Sequence, residues 1–283
     1  MSANSLASVI IGGGVVAASA AFYYLLNSKS SKNELVLSTT EFRKFPLIEK
    51  TILSHNSARY RFGLPNKDDI LGLPTGQHIS IMIEVDEKQV LRSYTPTSND
   101  FDKGYFELVI KTYPTGVLSK HIDTLAVGDT ISVRGPKGAF KYTPNMIKEF
   151  GMIAGGTGIT PMFQVIKAIL TNPADKTKVN LIYANVSEDD ILLKEELDQL
   201  AKDHSEQFSI YYVLNNPPSE WNGGVGFVTK EMIEERFMKP SQNVKVLLCG
   251  PPPMIKAMSQ YCEELSYDKP RALSKMEDMV FKF

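Results

Sequence analysis

The sequence predicts a β-barrel plus α/β architecture: a small antiparallel barrel, then a domain built on a parallel sheet, with an N-terminal transmembrane helix ahead of both. Three observations predict it. Residues 6–26 contain no charged side chain, residues 41–145 hold many short β-rich runs cut by turn residues, and from about residue 148 short apolar runs alternate with helical stretches. With 283 residues, 43% of them apolar, the chain can furnish two domains of ordinary size and a core for each.

The N-terminal segment comes first. As a helix, residues 6–26 would reach about 30 Å, the thickness of a bilayer core. The polar, basic stretch from Asn27 to Lys32 follows, and the positive-inside tendency puts that side in the cytosol. Ala18-Ser19-Ala20 resembles a signal-peptidase site, but no basic segment precedes it, which favours an uncleaved anchor. Residues 1–26 are thus expected to be the anchor and 27–40 a linker.

Residues 41–147 read as the barrel. Strands are expected at 45–54, 59–64, 78–85, 90–96, 105–113 and 130–134, bounded by Pro65-Asn66, Pro74-Thr75-Gly76, Asn99-Asp100, Gly128-Asp129 and Gly135-Pro136. One short helix, 118–125, interrupts them. Many short strands with a single helix suggest a small closed barrel. Residues 148–283 change rhythm. Strands at 150–154, 179–185, 208–214 and 244–249 alternate with helices at 161–170, 191–202, 229–237 and 254–265, and 279–283 can add a last strand. Alternation of this kind means parallel strands joined by crossover helices.

Composition excludes several classes. The net charge is −1 with charges interspersed, so no nucleic-acid surface is expected. Two cysteines, Cys249 and Cys262, give no disulfide framework and cannot supply the four thiolates of a plant-type iron–sulfur cluster. The four histidines lack metal-ligand spacing, and no metal site is expected.

Three motifs carry chemistry. Gly155-Gly156-Thr157-Gly158-Ile159-Thr160-Pro161 joins a buried strand to a helix and brings bare N–H groups to a helix N-terminus, an anion site. Its spacing differs from the Gly-x-Gly-x-x-Gly of the common dinucleotide fold. Cys249-Gly250-Pro251-Pro252-Pro253-Met254 ends the last central strand and leaves Cys249 at its lip. Ligands of open α/β sheets bind at such strand ends. In the barrel, Arg92-Ser93-Tyr94-Thr95 places a cationic fork and a phenol on one strand face, which suits a diphosphate beside a planar ring. Val109, Lys111 and Tyr113 repeat the period of two, and Thr115-Gly116-Val117-Leu118-Ser119 opens the short helix as a second anion-accepting turn.

In this order the motifs resemble those of the ferredoxin–NADP reductase superfamily. Asn185 with Glu188-Asp189-Asp190-Ile191-Leu192-Leu193, and the terminal Phe283, resemble its NADH–cytochrome b5 reductase branch, and the anchor resembles membrane-bound fungal members. The resemblance implies FAD in the barrel and NADH on the α/β domain. Arg92 would hold the FAD diphosphate, capped by the backbone of Gly116, Val117, Leu118 and Ser119, and Ser93 would also bind the cofactor. Tyr94 and Thr95 would line the isoalloxazine, Lys111 and Tyr113 would flank both nucleotides, and Val109 would also bind the cofactor. Gly155, Gly156, Thr157, Gly158, Thr160, Asp189, Cys249, Gly250, Pro251 and Met254 would serve NADH, and Phe283 would lie near the flavin face. Thr95, Lys111 and Cys249 would be the catalytic set.

The resemblance also implies cytochrome b5 as acceptor, in support of lipid desaturation and sterol synthesis, with the small metal protein of diphthamide biosynthesis as a further acceptor. It places the catalytic part on the cytosolic face of the endoplasmic reticulum or mitochondrial outer membrane. Acidic Glu188, Asp189 and Asp190 after the second parallel strand would repel the extra phosphate of NADPH, so NADH is expected, tempered by the uncharged Asn215 after the third. Two other readings stay open: another nicotinamide–flavin reductase of the superfamily, and a catalytically silent tethered binding protein.

Overall fold

A computed structural model describes residues 35–85, 87–99 and 101–283. The expected anchor lies outside the described residues, and among them no helix is long and apolar enough to cross a membrane. Val36–Phe283 form one compact unit. Packing starts earlier than composition suggests: within the expected linker, Leu37 is already buried in the barrel core, and Gly135 N donates to Ser38 O at 3.0 Å.

The first half is a six-stranded antiparallel sheet of β1 (Arg43–Ser54), β2 (Ser57–Gly63), β3 (His78–Val85), β4 (Lys88–Tyr94), β5 (Tyr105–Lys111) and β6 (Thr130–Lys137), with α1 (Val117–Asp123) between the last two. Its order is β4-β3-β6-β1-β2-β5. Alternate side chains enter one core, where Phe45, Tyr60, Phe62, Phe106 and Ile81 are fully buried. Of the expected barrel, the described residues show this six-stranded antiparallel sheet: no ladder joins the edge strands β4 and β5, but just beyond β4 Thr97 N donates to Glu107 O at 2.9 Å and Glu107 N to Ser98 Oγ at 3.0 Å. β4 serves two sides, with Val90 and Tyr94 packed on the core while Arg92 and Ser93 are exposed.

The second half is a parallel sheet with helices on both faces. Its strands are β7 (Glu149–Gly155), β8 (Lys178–Asn185), β9 (Phe208–Leu214), β10 (Gly224–Val225), β11 (Val244–Cys249) and β12 (Val280–Lys282), in the order β10-β9-β8-β7-β11-β12. Helices α2 (Ile159–Leu170) and α3 (Lys194–Asp203) cover one face, and α4 (Lys230–Arg236) and α5 (Pro252–Glu264) the other. Every residue of β7 is buried, as a doubly covered strand requires.

Helix α3 starts three residues later than its periodicity predicts. A one-turn 3-10 helix, Glu188–Asp190, intervenes, and Leu193 at φ 59° breaks the α geometry. The two-residue β10 was not anticipated. Pro218 and Gly223-Gly224 mask it in the sequence, and its pairing with Val213 and Leu214 is what defines it.

Candidate functional site

The strand order reverses at β7. The chain steps outward through β8, β9 and β10, then returns to place β11 on the other side of β7. The carboxyl ends of β7 and β11 therefore face a crevice, the usual ligand position in such sheets. Gly155–Gly158 leaves β7 there, and Cys249 to Pro253 leaves β11, with Ala154 and Cys249 in register.

These turns touch each other. A Cβ on Gly158 would lie 2.2 Å from Cys249 O, and one on Gly155 would lie 2.6 Å from the Met254 sulfur and 2.9 Å from Pro251 Cδ. Only glycine lets the two backbones meet this closely. Tyr183, fully buried on β8, braces the first turn: its hydroxyl donates to Gly156 O at 3.0 Å and accepts from Leu192 N at 3.2 Å. Thr160 Oγ1 donates to Thr157 O at 3.2 Å and closes the turn onto α2.

Across from the turns stands the edge of the antiparallel sheet. One continuous cleft of about 730 Å³ brings together Arg92, Ser93, Tyr94, Thr95, Val109, Lys111, Tyr113, Gly116, Val117, Leu118, Ser119, Gly155, Gly156, Thr157, Gly158, Thr160, Cys249, Gly250, Pro251 and Phe283. His78, Ile110, Thr115 and Pro161, which were not singled out as ligands, line it too. Met254 stands behind the lining, packed on Gly155 and Gly250. Asp189 does not line the cleft and is exposed on the turn after β8. Of three consecutive acids only the turn geometry decides which points inward, and it selects Asp190.

The cleft is polar where an anion would be held. Among the described residues the Arg92 guanidinium donates only to the carbonyl of its neighbour Leu91, at 2.7 Å, and so remains available. No side chain caps the N-terminus of α1 or of α2. Burial pushes the Tyr94 phenol up to about 12, with Arg92 pulling the other way, so it stays neutral and can donate.

Cys249 is partly exposed at the cleft edge, but the protein around it desolvates its thiol and pushes it up to about 12. A thiol so placed is not a nucleophile at neutral pH. Native protein treated with iodoacetamide at pH 8 is therefore expected to label Cys249 at least about a hundredfold more slowly than an ordinary thiol. The protein unfolded in urea should label both cysteines at once, and rapid native labelling of Cys249 would refute the assignment.

Contacts between the two halves were invisible to sequence reasoning. Lys111 on β5 pairs with Asp190 at 2.6 Å, Arg59 on β2 pairs with Glu196 on α3, and Gly76 N donates to Gln164 Oε1 at 2.7 Å. Lys167 Nζ on α2 donates to Thr97 O at 2.9 Å. Such partners are far apart in the chain, and nothing local marks them.

Comparison with known proteins agrees with this geometry. Residues 44–142 match the model of the oxidoreductase FAD-binding domain, and residues 152–260 that of the oxidoreductase NAD-binding domain. The chain is thus an FAD- and NAD-dependent oxidoreductase. NADH-cytochrome b5 reductase 1 of Debaryomyces hansenii is 57% identical over 254 residues, covering 90% of this chain and 89% of the relative. That of Aspergillus clavatus is 61% identical over 260 residues, covering 89% and 84%. The cytochrome b5 reductase domain of Ulva prolifera nitrate reductase superimposes with a TM-score of 0.81 at 38% identity, over 88% of this chain and 99% of that one. The chain belongs to the NADH-cytochrome b5 reductase family.

Proposed function

We propose that this chain takes hydride from NADH at the β7–β11 crevice and passes single electrons to cytochrome b5, the acceptor in its relatives' names. One observation carries the reading: the interlocked Gly155–Gly158 and Cys249–Pro251 turns face Arg92, Tyr94 and Thr95 across a single cleft. Bound FAD would supply the conversion of one two-electron donation into two one-electron steps.

The side chains bind and orient. Arg92 offers a planar fork to a diphosphate, and the uncapped N–H groups of Val117, Leu118 and Ser119 add backbone donors. Ser119 Oγ accepts from Tyr113 N at 3.4 Å, which ties that turn to the end of β5. Tyr94 and Thr95 line the flavin side. Gly155, Gly156 and Gly158 let the nicotinamide nucleotide approach the backbone, while Tyr113, Cys249 and Phe283 exclude water around it. No residue needs to act as a strong acid or base, in keeping with a neutral Cys249 thiol.

Cofactor preference follows from charge. Asp190 is committed to Lys111, so Glu188 and Asp189, both exposed, are the acids left to repel a ribose phosphate. Asn215 is occupied structurally, donating to Gly226 O at 3.0 Å. The kcat/KM for NADH is expected to exceed that for NADPH by about tenfold or more, as two uncompensated like charges at the surface imply. Steady-state turnover with both cofactors checks this, and equal efficiency would contradict it. The apolar residues 6–26 support anchoring at the endoplasmic reticulum or outer mitochondrial membrane, with the catalytic part in the cytosol. The diphthamide metal protein is a second acceptor to assay beside cytochrome b5.

A further inference from the structure

Asp190 belongs to neither glycine turn, yet it is joined to both halves of the protein. One carboxylate oxygen accepts from Lys111 Nζ of β5 at 2.6 Å. The other accepts from Ser187 N at 3.1 Å and Ser187 Oγ at 2.8 Å, which closes the Glu188–Asp190 turn. Two residues later Leu192 N reaches the Tyr183 hydroxyl, which in turn holds Gly156 O. A short chain of bonds therefore runs from the flavin-side strand through Asp190 to the nucleotide-side glycine turn. The pair is largely shielded: Lys111 and Asp190 side chains are 13% and 14% exposed.

We propose that Asp190 is a positioning residue for the nicotinamide nucleotide. It pins the Lys111 ammonium at the cleft wall and holds the 188–192 turn, so that the cation and the Gly156 turn present one pre-formed surface. The lysine stem is flexible, and a cation without its partner would sample many positions at the cleft wall. Binding would then have to supply the ordering that the ion pair now provides. Asp190→Asn breaks the ion pair while keeping the turn, because an amide oxygen can still accept from Ser187 but the NH2 left facing Lys111 cannot accept from its ammonium.

The inference rests on the reading that NADH binds in this cleft, and the test separates the two. Full-length holoenzyme is titrated with NAD+ by calorimetry, and its flavin content is measured in parallel. In Asp190→Asn the Kd for NAD+ is expected to rise about tenfold, the scale of coupling between contacting groups, with flavin content unchanged. Lys111→Gln should weaken binding similarly, and the double variant no further than either single one. Asp190→Glu, which keeps the charge, should recover most of the affinity and serves if the asparagine variant does not fold. Unchanged or tighter NAD+ binding in Asp190→Asn would overturn the proposal, as would additive losses in the double variant: the carboxylate would then merely offset the lysine charge or brace the fold. Failure of the wild-type protein to bind NAD+ would instead overturn the functional reading, and this proposal with it.

Discussion

Gly158→Ala is expected to cut NADH-driven turnover by about a hundredfold or more, because displacements near 1 Å at a reacting site have effects of that size. The added methyl would stand 2.2 Å from Cys249 O and 2.5 Å from its carbonyl carbon. Both obstacles are backbone atoms at the end of a buried strand, so no rotamer change relieves the clash. The Gly155–Gly158 and Cys249–Pro251 turns must separate, and the wall they form is lost. Overpacking of this kind also costs stability, typically about 1–3 kcal/mol. Flavin binding should survive, since Arg92 and the α1 turn lie on the opposite wall. Kinetics with NADH, a thermal melt and the flavin absorbance of purified variant check the three parts together. Wild-type kcat/KM in a folded Gly158→Ala protein would show that the crevice between β7 and β11 is not where NADH reacts.

Arg92→Ala is expected to act on the other ligand. Among the described residues its guanidinium bonds no other element, and it lies on an edge strand, so stability of the flavin-free protein should change little. Hydrogen bonds to charged groups contribute about 1.5–3 kcal/mol each, so loss of the fork should loosen FAD by about ten- to a hundredfold. Arg92→Lys should recover part of this, because an ammonium keeps the charge but not the bidentate geometry. Flavin retained through gel filtration, and the Kd for FAD added back to stripped protein, measure the effect. Undiminished retention in Arg92→Ala would remove Arg92 from the flavin site.

The contrast between these two residues also shows what a sequence discloses. Arg92 to Thr95 and Gly155 to Pro161 were legible because each is a local pattern with a local physical meaning, period two on a strand and glycines before a helix. The parallel strands at 208–214 and 244–249 match the expected bounds, since short runs rich in β-branched and aromatic residues between breakers mark a strand even where Ser209 or Lys245 interrupts them. How the sheet edges meet is not legible, because edge pairing is a property of three-dimensional spacing, and β4 reads as β-rich whether or not it has a second neighbour. Lys111 and Asp190 lie 79 residues apart, and neither carries a mark of the other. Adjacent acids are likewise equivalent on paper, and the capping turn is what commits Asp190 to Lys111 and leaves Asp189 exposed. Nothing in the sequence marks Tyr183, whose hydroxyl holds the glycine turn.

The most direct test is anaerobic mixing of the full-length flavoprotein with NADH, followed by oxidised cytochrome b5, while flavin and haem absorbance are recorded in stopped flow. The expected result is bleaching of the flavin by a single equivalent of NADH, faster than by NADPH, and then its recovery as two equivalents of cytochrome b5 are reduced. A protein that binds no flavin, or a bound flavin that NADH does not bleach, would contradict an NADH-to-flavin route through this cleft.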